Sequence, residues 1–183
     1  MTEFVLSQGW TKKPLNNLSV KGSFEKHSSY LSIRIEVMEP TVKALLSGYN
    51  KEVFKDSCVE IFISLDGKNY YNFEINCIGA ILGQHGMGRF DRMFIDENIL
   101  NKINIFSSLG YSPIGIIPRP YSYTIEIDIP KEALIFDSQN NFDNIIGNIY
   151  KCADESPTPH YMYYYPVKTE KPDFHRPEFF GKL

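Results

Sequence analysis

Three polar side chains stand at spacings that would bring them together. Glu60 in CVEIFIS, and Glu74 and Asn76 in YNFEIN, alternate with apolar neighbours. On extended chain they therefore leave the apolar face and share the opposite one, and two such strands, once paired, set all three on one sheet surface. A row of carboxylates and amides suits sugar hydroxyls, each of which both donates and accepts, while an aromatic ring covers the apolar C–H face of the sugar. Candidate rings crowd into the YMYYY run, at Tyr161, Tyr163, Tyr164 and Tyr165. The same pattern also describes a solvated sheet face with tyrosines packed under loops, and periodicity by itself favours that plainer reading.

Other chemistry has less support. Paired carboxylates can hydrolyse glycosides, but the sequence does not measure their separation. His160 and His175 lie near Cys152 and Asp154 at spacings that match no familiar ligand pattern, so hydrogen bonding to loop backbone is the simpler role. GxSxG, a Gly-rich loop ending in GK[ST], and HExxH are all absent.

The elements that must carry these residues are strands. Leu31, Ile33, Ile35 and Val37 alternate with polar residues over Tyr30–Met38, as do Val59, Ile61 and Ile63, then Tyr71, Phe73 and Ile75, then Tyr123 to Ile129. Asp66-Gly67 predicts a hairpin turn between the second and third runs. Ile145 to Cys152 and Tyr161 to Val167 are further strand candidates. Val42, Leu45, Leu46 and Tyr49 have helix spacing, as does a short stretch after Pro130, and Ser112 to Pro120 reads as a loop. Many strands with few helical turns predict an all-β, antiparallel, immunoglobulin-like sandwich, with residues 1–183 as one domain.

Composition bounds the partners. The 183 residues carry a net charge of −3, which gives no footprint for a phosphate backbone. No run approaches the roughly 20 apolar residues of a membrane span, so neither nucleic acid nor membrane is expected as a partner. MTEFVLSQGW lacks the features of a secretory leader, which predicts a cytoplasmic protein, or an extracellular or periplasmic one had a leader been removed. Cys58, Cys77 and Cys152 form no disulfide framework or metal-ligand spacing and are expected to be free buried thiols. Aromatic residues reach 14%, as 13 Phe, 12 Tyr and the single Trp10; Trp10 is expected to pack at the sandwich edge.

A more specific signal lies in several motifs in order. DSCVEIFISLDGKNYYNFEIN, IEIDIP and GNIYKCADESPTPHYMYYYPVKTEKPDFHRPEFFGKL resemble the carbohydrate-binding family 9-like domains, firmly from Asp56 to Leu183 and loosely before that. The resemblance implies a β-sandwich that binds a mono-, oligo- or polysaccharide without turning it over. Its alternative is the same fold with a site drifted to weak glycoside processing, another ligand or a structural role. Carried over by position, it implies Glu60, Glu74 and Asn76 as ligand-binding residues, with Lys151 and His160 from the YKC and PHY stretches. Tyr164 stands where relatives have one sugar-stacking tryptophan, and Val53 or Phe54 near the other; Glu74 replaces an arginine. No catalytic residue, cofactor or metal is expected, calcium entering only because some relatives carry it in a loop. The PDFHRPEFFG stretch is assigned to structure, its aromatics filling one end of the sandwich and Asp173, His175, Arg176 and Glu178 forming an inward network.

Overall fold

The computed structural model describes residues 1–137 and 142–183. Most of its strands form two antiparallel sheets packed face to face, and one further pair of strands stands apart from them. The smaller has five strands in the order Thr2–Val5, Ser19–Lys26, Tyr30–Glu39, Tyr121–Pro130 and Asn104–Ser107. The larger has eight. Seven run in the order Ser7–Gln8, Tyr161–Tyr163, Ile146–Cys152, Cys58–Ser64, Tyr70–Asn76, Ile81–Gly88 and Asp91–Phe94, and Gly181–Lys182 also pairs with Ile146–Cys152.

Alternation sets the register. Ile33 faces Ile127 and Ile35 faces Ile125 across the central pair of the smaller sheet. Their apolar sides meet Val59, Ile61, Phe73 and Ile75 of the larger sheet in one continuous core. On the outer side of the smaller sheet the intervening positions carry charge, as in the exposed Arg34–Glu126 ion pair.

The larger sheet departs from the half-buried pattern that alternation predicts. All seven residues of Cys58–Ser64 and all seven of Tyr70–Asn76 are buried. The reason is a second layer. The C-terminal segment folds back across the outer face, and Phe62, Tyr70 and Tyr150 pack there with Val167, Phe174, Phe179 and Phe180. Tyr150 stacks on Phe174 at 4.1 Å between ring centroids, and Phe62 meets Tyr150 edge-on. The aromatics of PDFHRPEFFG thus roof a sheet face, not a sandwich end. Of the four polar residues expected to form an inward network, only His175 turns in, to the Tyr70 hydroxyl at 3.0 Å, while Arg176 pairs with Glu178 at the surface.

The helix expected at Val42–Tyr49 does not form. Val42–Ala44 is a strand paired with Gly115–Ile117, inside the stretch expected to be a loop. Beyond it the Leu45 and Leu46 N–H groups both donate to Asp56 Oδ2, at 2.9 and 2.8 Å, which consumes the donors a helix would use. After Pro130 the expected helical stretch is a single 3-10 turn, Lys131–Ala133.

Candidate functional site

The second layer leaves part of the outer face uncovered, and a cleft of about 400 Å³ remains there. Its floor is the central strand pair. Glu60 and Glu74 are direct cross-strand partners, so both carboxyls rise side by side into the cleft. Phe54, from the 3-10 turn Val53–Lys55, and Tyr161 line it with Asp154, whose N–H donates to the Phe54 carbonyl at 3.1 Å. Pro172 to His175 supply the roof edge. The remaining wall comes from the hairpin joining Ile81–Gly88 to Asp91–Phe94, which brings Arg89, Phe90 and Arg92. A bulge between Gly86 and Gly88 shifts the register there, and a Cβ on Gly86 would run into the Asp91 carbonyl, so glycine permits the tight crossing.

The floor is electrostatically unsettled. Glu74 Oε1 accepts from Asn72 Nδ2 at 2.9 Å. Glu74 Oε2, Asn72 Oδ1 and Arg92 Nη1 are buried with no hydrogen-bond partner, Arg92 Nη1 stopping 4.0 Å from Glu74 Oε1. Burial raises Glu74 to about 7 against the pull of Arg92. Glu60 is pushed well above the usual carboxylate range too, by burial and then by the Glu74 charge; its side chain accepts from the Cys152 thiol at 3.1 Å. Burial also lifts Asp154, and takes His175 down to about 2 with help from Arg92 and Arg89. The cleft therefore holds carboxyls and an imidazole that burial biases toward their neutral forms, beside the guanidinium groups of Arg89 and Arg92.

Of the six residues predicted to bind ligand, two line this cleft, Glu60 and Glu74. Asn76 shares their sheet face but is consumed by a turn: its Nδ2 donates to Leu46 O and Asp56 Oδ2, and its Oδ1 accepts from the Ile78 and Ala80 N–H groups. Lys151 and His160 lie elsewhere. Lys151 is odd-numbered in its strand beside Tyr150 and Cys152, so it points into the sandwich, where its Nζ donates to Glu39 Oε2 at 2.9 Å. His160 Nε2 is 3.1 Å from the same Nζ. Tyr164 is also on the inner side, 5.6 Å from the Phe4 ring and packed against the main core. Tyr161 and Tyr163 take the outer face because the buried Met162 between them takes the inner one.

Trp10 reinforces Tyr161 from behind. It meets that ring edge-on at 6.2 Å and anchors its indole N–H on the Thr169 carbonyl at 2.9 Å. Arg89, Phe90 and Arg92 were not among the sequence candidates. Their signal is the RFDR run at a hairpin tip, where Phe90 is 97% exposed.

The profile of carbohydrate-binding family 9 matches residues 17–183. The chain belongs to carbohydrate-binding family 9. Family 9 members are carbohydrate-binding modules, usually without catalytic activity. A candidate carbohydrate-binding protein from Bacteroides uniformis is 33% identical, with a TM-score of 0.92 over 98% of this chain and 84% of that one. A family 9 module from Caldicellulosiruptor kristjanssonii, solved with cellotriose, is 12% identical with a TM-score of 0.61 over 98% and 80% of the two chains. The glucose complex gives 0.59 over 97% and 82%, again at 12% identity. These last two likenesses concern the fold. No curated protein sequence matches the chain. Calcium, which the family resemblance brought in, finds no cluster of three carboxylate side chains among the described residues; the one ligand cluster found there includes two sulfurs, which suit a hard cation poorly.

Proposed function

We propose that this family 9 chain binds a sugar, without transforming it, in the cleft over Glu60 and Glu74. The observation that carries the reading is the pair of buried, unpartnered polar atoms Glu74 Oε2 and Arg92 Nη1, on residues that line the cleft together with the rings of Phe54, Tyr161 and Phe90. An unpaired buried polar atom costs about 1–3 kcal/mol, and a ligand hydroxyl that donates to the carboxyl and accepts from the guanidinium would recover it. Tyr161 and Phe54 supply flat apolar faces for the ring C–H groups. The sugars held by the Caldicellulosiruptor module, cellotriose and glucose, are the first ligands to try. Glu60 and Glu74 stand side by side on the floor instead of facing each other across it, an arrangement that supports holding a sugar over cleaving it.

Calorimetric titration of cellotriose and glucose, extended to a glycan array, tests the proposal. Saturable binding that Glu74→Ala abolishes, in a variant with the parent's circular dichroism, is the expected result. Binding that survives Glu74→Ala and Tyr161→Ala together would place the sugar elsewhere, and a blank array would end the carbohydrate reading of this cleft.

A further inference from the structure

Two cysteines meet beneath the floor of the cleft. Cys58 and Cys152 are direct cross-strand partners on the outer face of the larger sheet, and Glu60 follows Cys58 by two residues on the same side. The two sulfurs and a Glu60 oxygen all lie within 4.8 Å of one another. No disulfide joins them.

As a purely apolar packing unit this cluster is poorly explained. A carboxyl at 4% exposure has been placed against two thiols, weak hydrogen-bonding groups that compensate little of its desolvation. Cys152 Sγ approaches Glu60 Oε1 at 3.1 Å and the Phe54 carbonyl at 3.5 Å; Cys58 Sγ meets the neighbouring Val59 carbonyl at 3.4 Å and interacts with the Cys152 thiol.

We propose that Cys58, Cys152 and Glu60 form a binding site for a thiophilic divalent cation of the zinc class. Two thiolates and one carboxylate are a ligand set that zinc accepts, and the soft sulfurs select it over calcium or magnesium. Glu60 stands on the cleft floor, which provides the entry path, and a zinc ion with three protein ligands would take water from the cleft as its fourth. On binding, each thiol releases its proton to solvent as its sulfur–metal bond forms, and Glu60 releases any proton it holds. The dication is then set against three negative ligands, for a net charge of −1, with Arg92 and Arg89 in the same cleft as countercharge. The site does not require that the cleft bind sugar, because its readout is the metal itself.

The test uses reduced, metal-free full-length chain titrated with Co2+ and Cd2+ under anaerobic conditions. Thiolate-to-metal charge-transfer absorption that saturates at one equivalent is expected, with a rise in melting temperature. Both should vanish in Cys58→Ser and Cys152→Ser and persist in Cys77→Ser, whose thiol lies in the core between the sheets. If the cysteine variants fail to fold, Glu60→Gln serves in their place, weakening the metal at least tenfold while both sulfurs stay. Absence of the absorption in folded parent protein would overturn the site. So would a band unchanged by Cys152→Ser, or a thiol count showing that Cys58 and Cys152 form a disulfide in protein isolated under air and resist reduction.

Discussion

The two faces of the strand Ile146–Cys152 and its neighbours each bury charge, and they do so with opposite results. On the inner face, Lys151 Nζ spends its three protons on Glu39 Oε2, the Cys152 carbonyl and His160 Nε2, at 2.9, 2.7 and 3.1 Å. Glu39 Oε1 accepts from the Tyr123 hydroxyl at 2.7 Å, and His160 Nδ1 hydrogen-bonds the Thr158 carbonyl at 2.8 Å. Burial alone would raise Glu39, but Lys151 and His160 hold it down at about 2. On the outer face Glu74 has one oxygen unpartnered and is raised to about 7. Both carboxylates are nearly inaccessible. The inner cluster is closed, with no buried side-chain oxygen or nitrogen of Glu39, Lys151, His160 or Tyr123 left without a partner, whereas the outer one is open to something brought from outside. Closed clusters mark structure, and open ones mark sites.

The comparison breaks most visibly at Lys151. Lys151→Met removes the countercharge and leaves Glu39 buried and uncompensated, so unfolding in urea should show a loss of about 3–5 kcal/mol. A loss under about 1 kcal/mol would mean that water reaches the cluster and that it is not closed.

Stability against pH sharpens the contrast, because the two carboxylates have opposite signs. Glu39, depressed from 4.5 to about 2, contributes stability that is complete above about pH 4.5 and is lost as the pH falls toward 2. Glu74, raised from 4.5 to about 7, binds its proton more tightly in the folded chain, so its contribution is complete below about pH 4.5 and is lost as the pH rises to 7. Glu60 acts in the same direction as Glu74. The carboxylates by themselves would set an optimum near pH 5, and His175, whose depressed imidazole loses stability as the pH falls below about 6.5, moves that optimum upward. Glu74→Gln should flatten the alkaline flank by an amount on the order of 1–3 kcal/mol while leaving the acid flank alone. An alkaline flank that keeps its slope in this variant would assign it to other groups.

What the sequence revealed of this arrangement follows from what period two encodes. Alternation located the central strands and put Glu60 and Glu74 opposite the core, because side-chain parity is a property of each strand by itself. It carried no information about the roof, since the covering segment, Val167 to Leu183, is distant in sequence and has no period of its own. The polar face was therefore expected to be wet, and its protonation behaviour was not foreseen. Asn76 had the right parity, but its role was decided by a turn with Ile78 and Ala80. Arg89, Phe90 and Arg92 reach the cleft only because a bulged hairpin bends over it, which no short-range pattern marks. For Lys151 and Tyr164, motif resemblance suggested a binding role while parity contradicted it: Lys151 alternates with Tyr150 and Cys152, and Tyr164 shares its side with Met162.

The smallest expected effect separates two tyrosines three residues apart. Tyr161 lines the cleft and is braced by Trp10, while Tyr164 packs against Phe4 and the main core. Tyr161→Ala should therefore weaken sugar binding by roughly 1–2 kcal/mol, the scale of a contacting aromatic anchor, with a melting temperature close to the parent's. Tyr164→Ala should do the reverse, lowering stability by a similar amount through lost packing while the folded protein keeps its affinity. Tyr161→Trp, with a larger flat face at the open cleft, should hold or tighten binding, whereas Tyr164→Trp crowds the half-buried contact with Phe4 and the core and should melt earlier. Calorimetry and thermal melts on the four variants give two axes. If Tyr164→Ala lost affinity at full stability, the ligand would be on the side of the sheet assigned here to structure, and the contrast between the closed and open faces would fail with it.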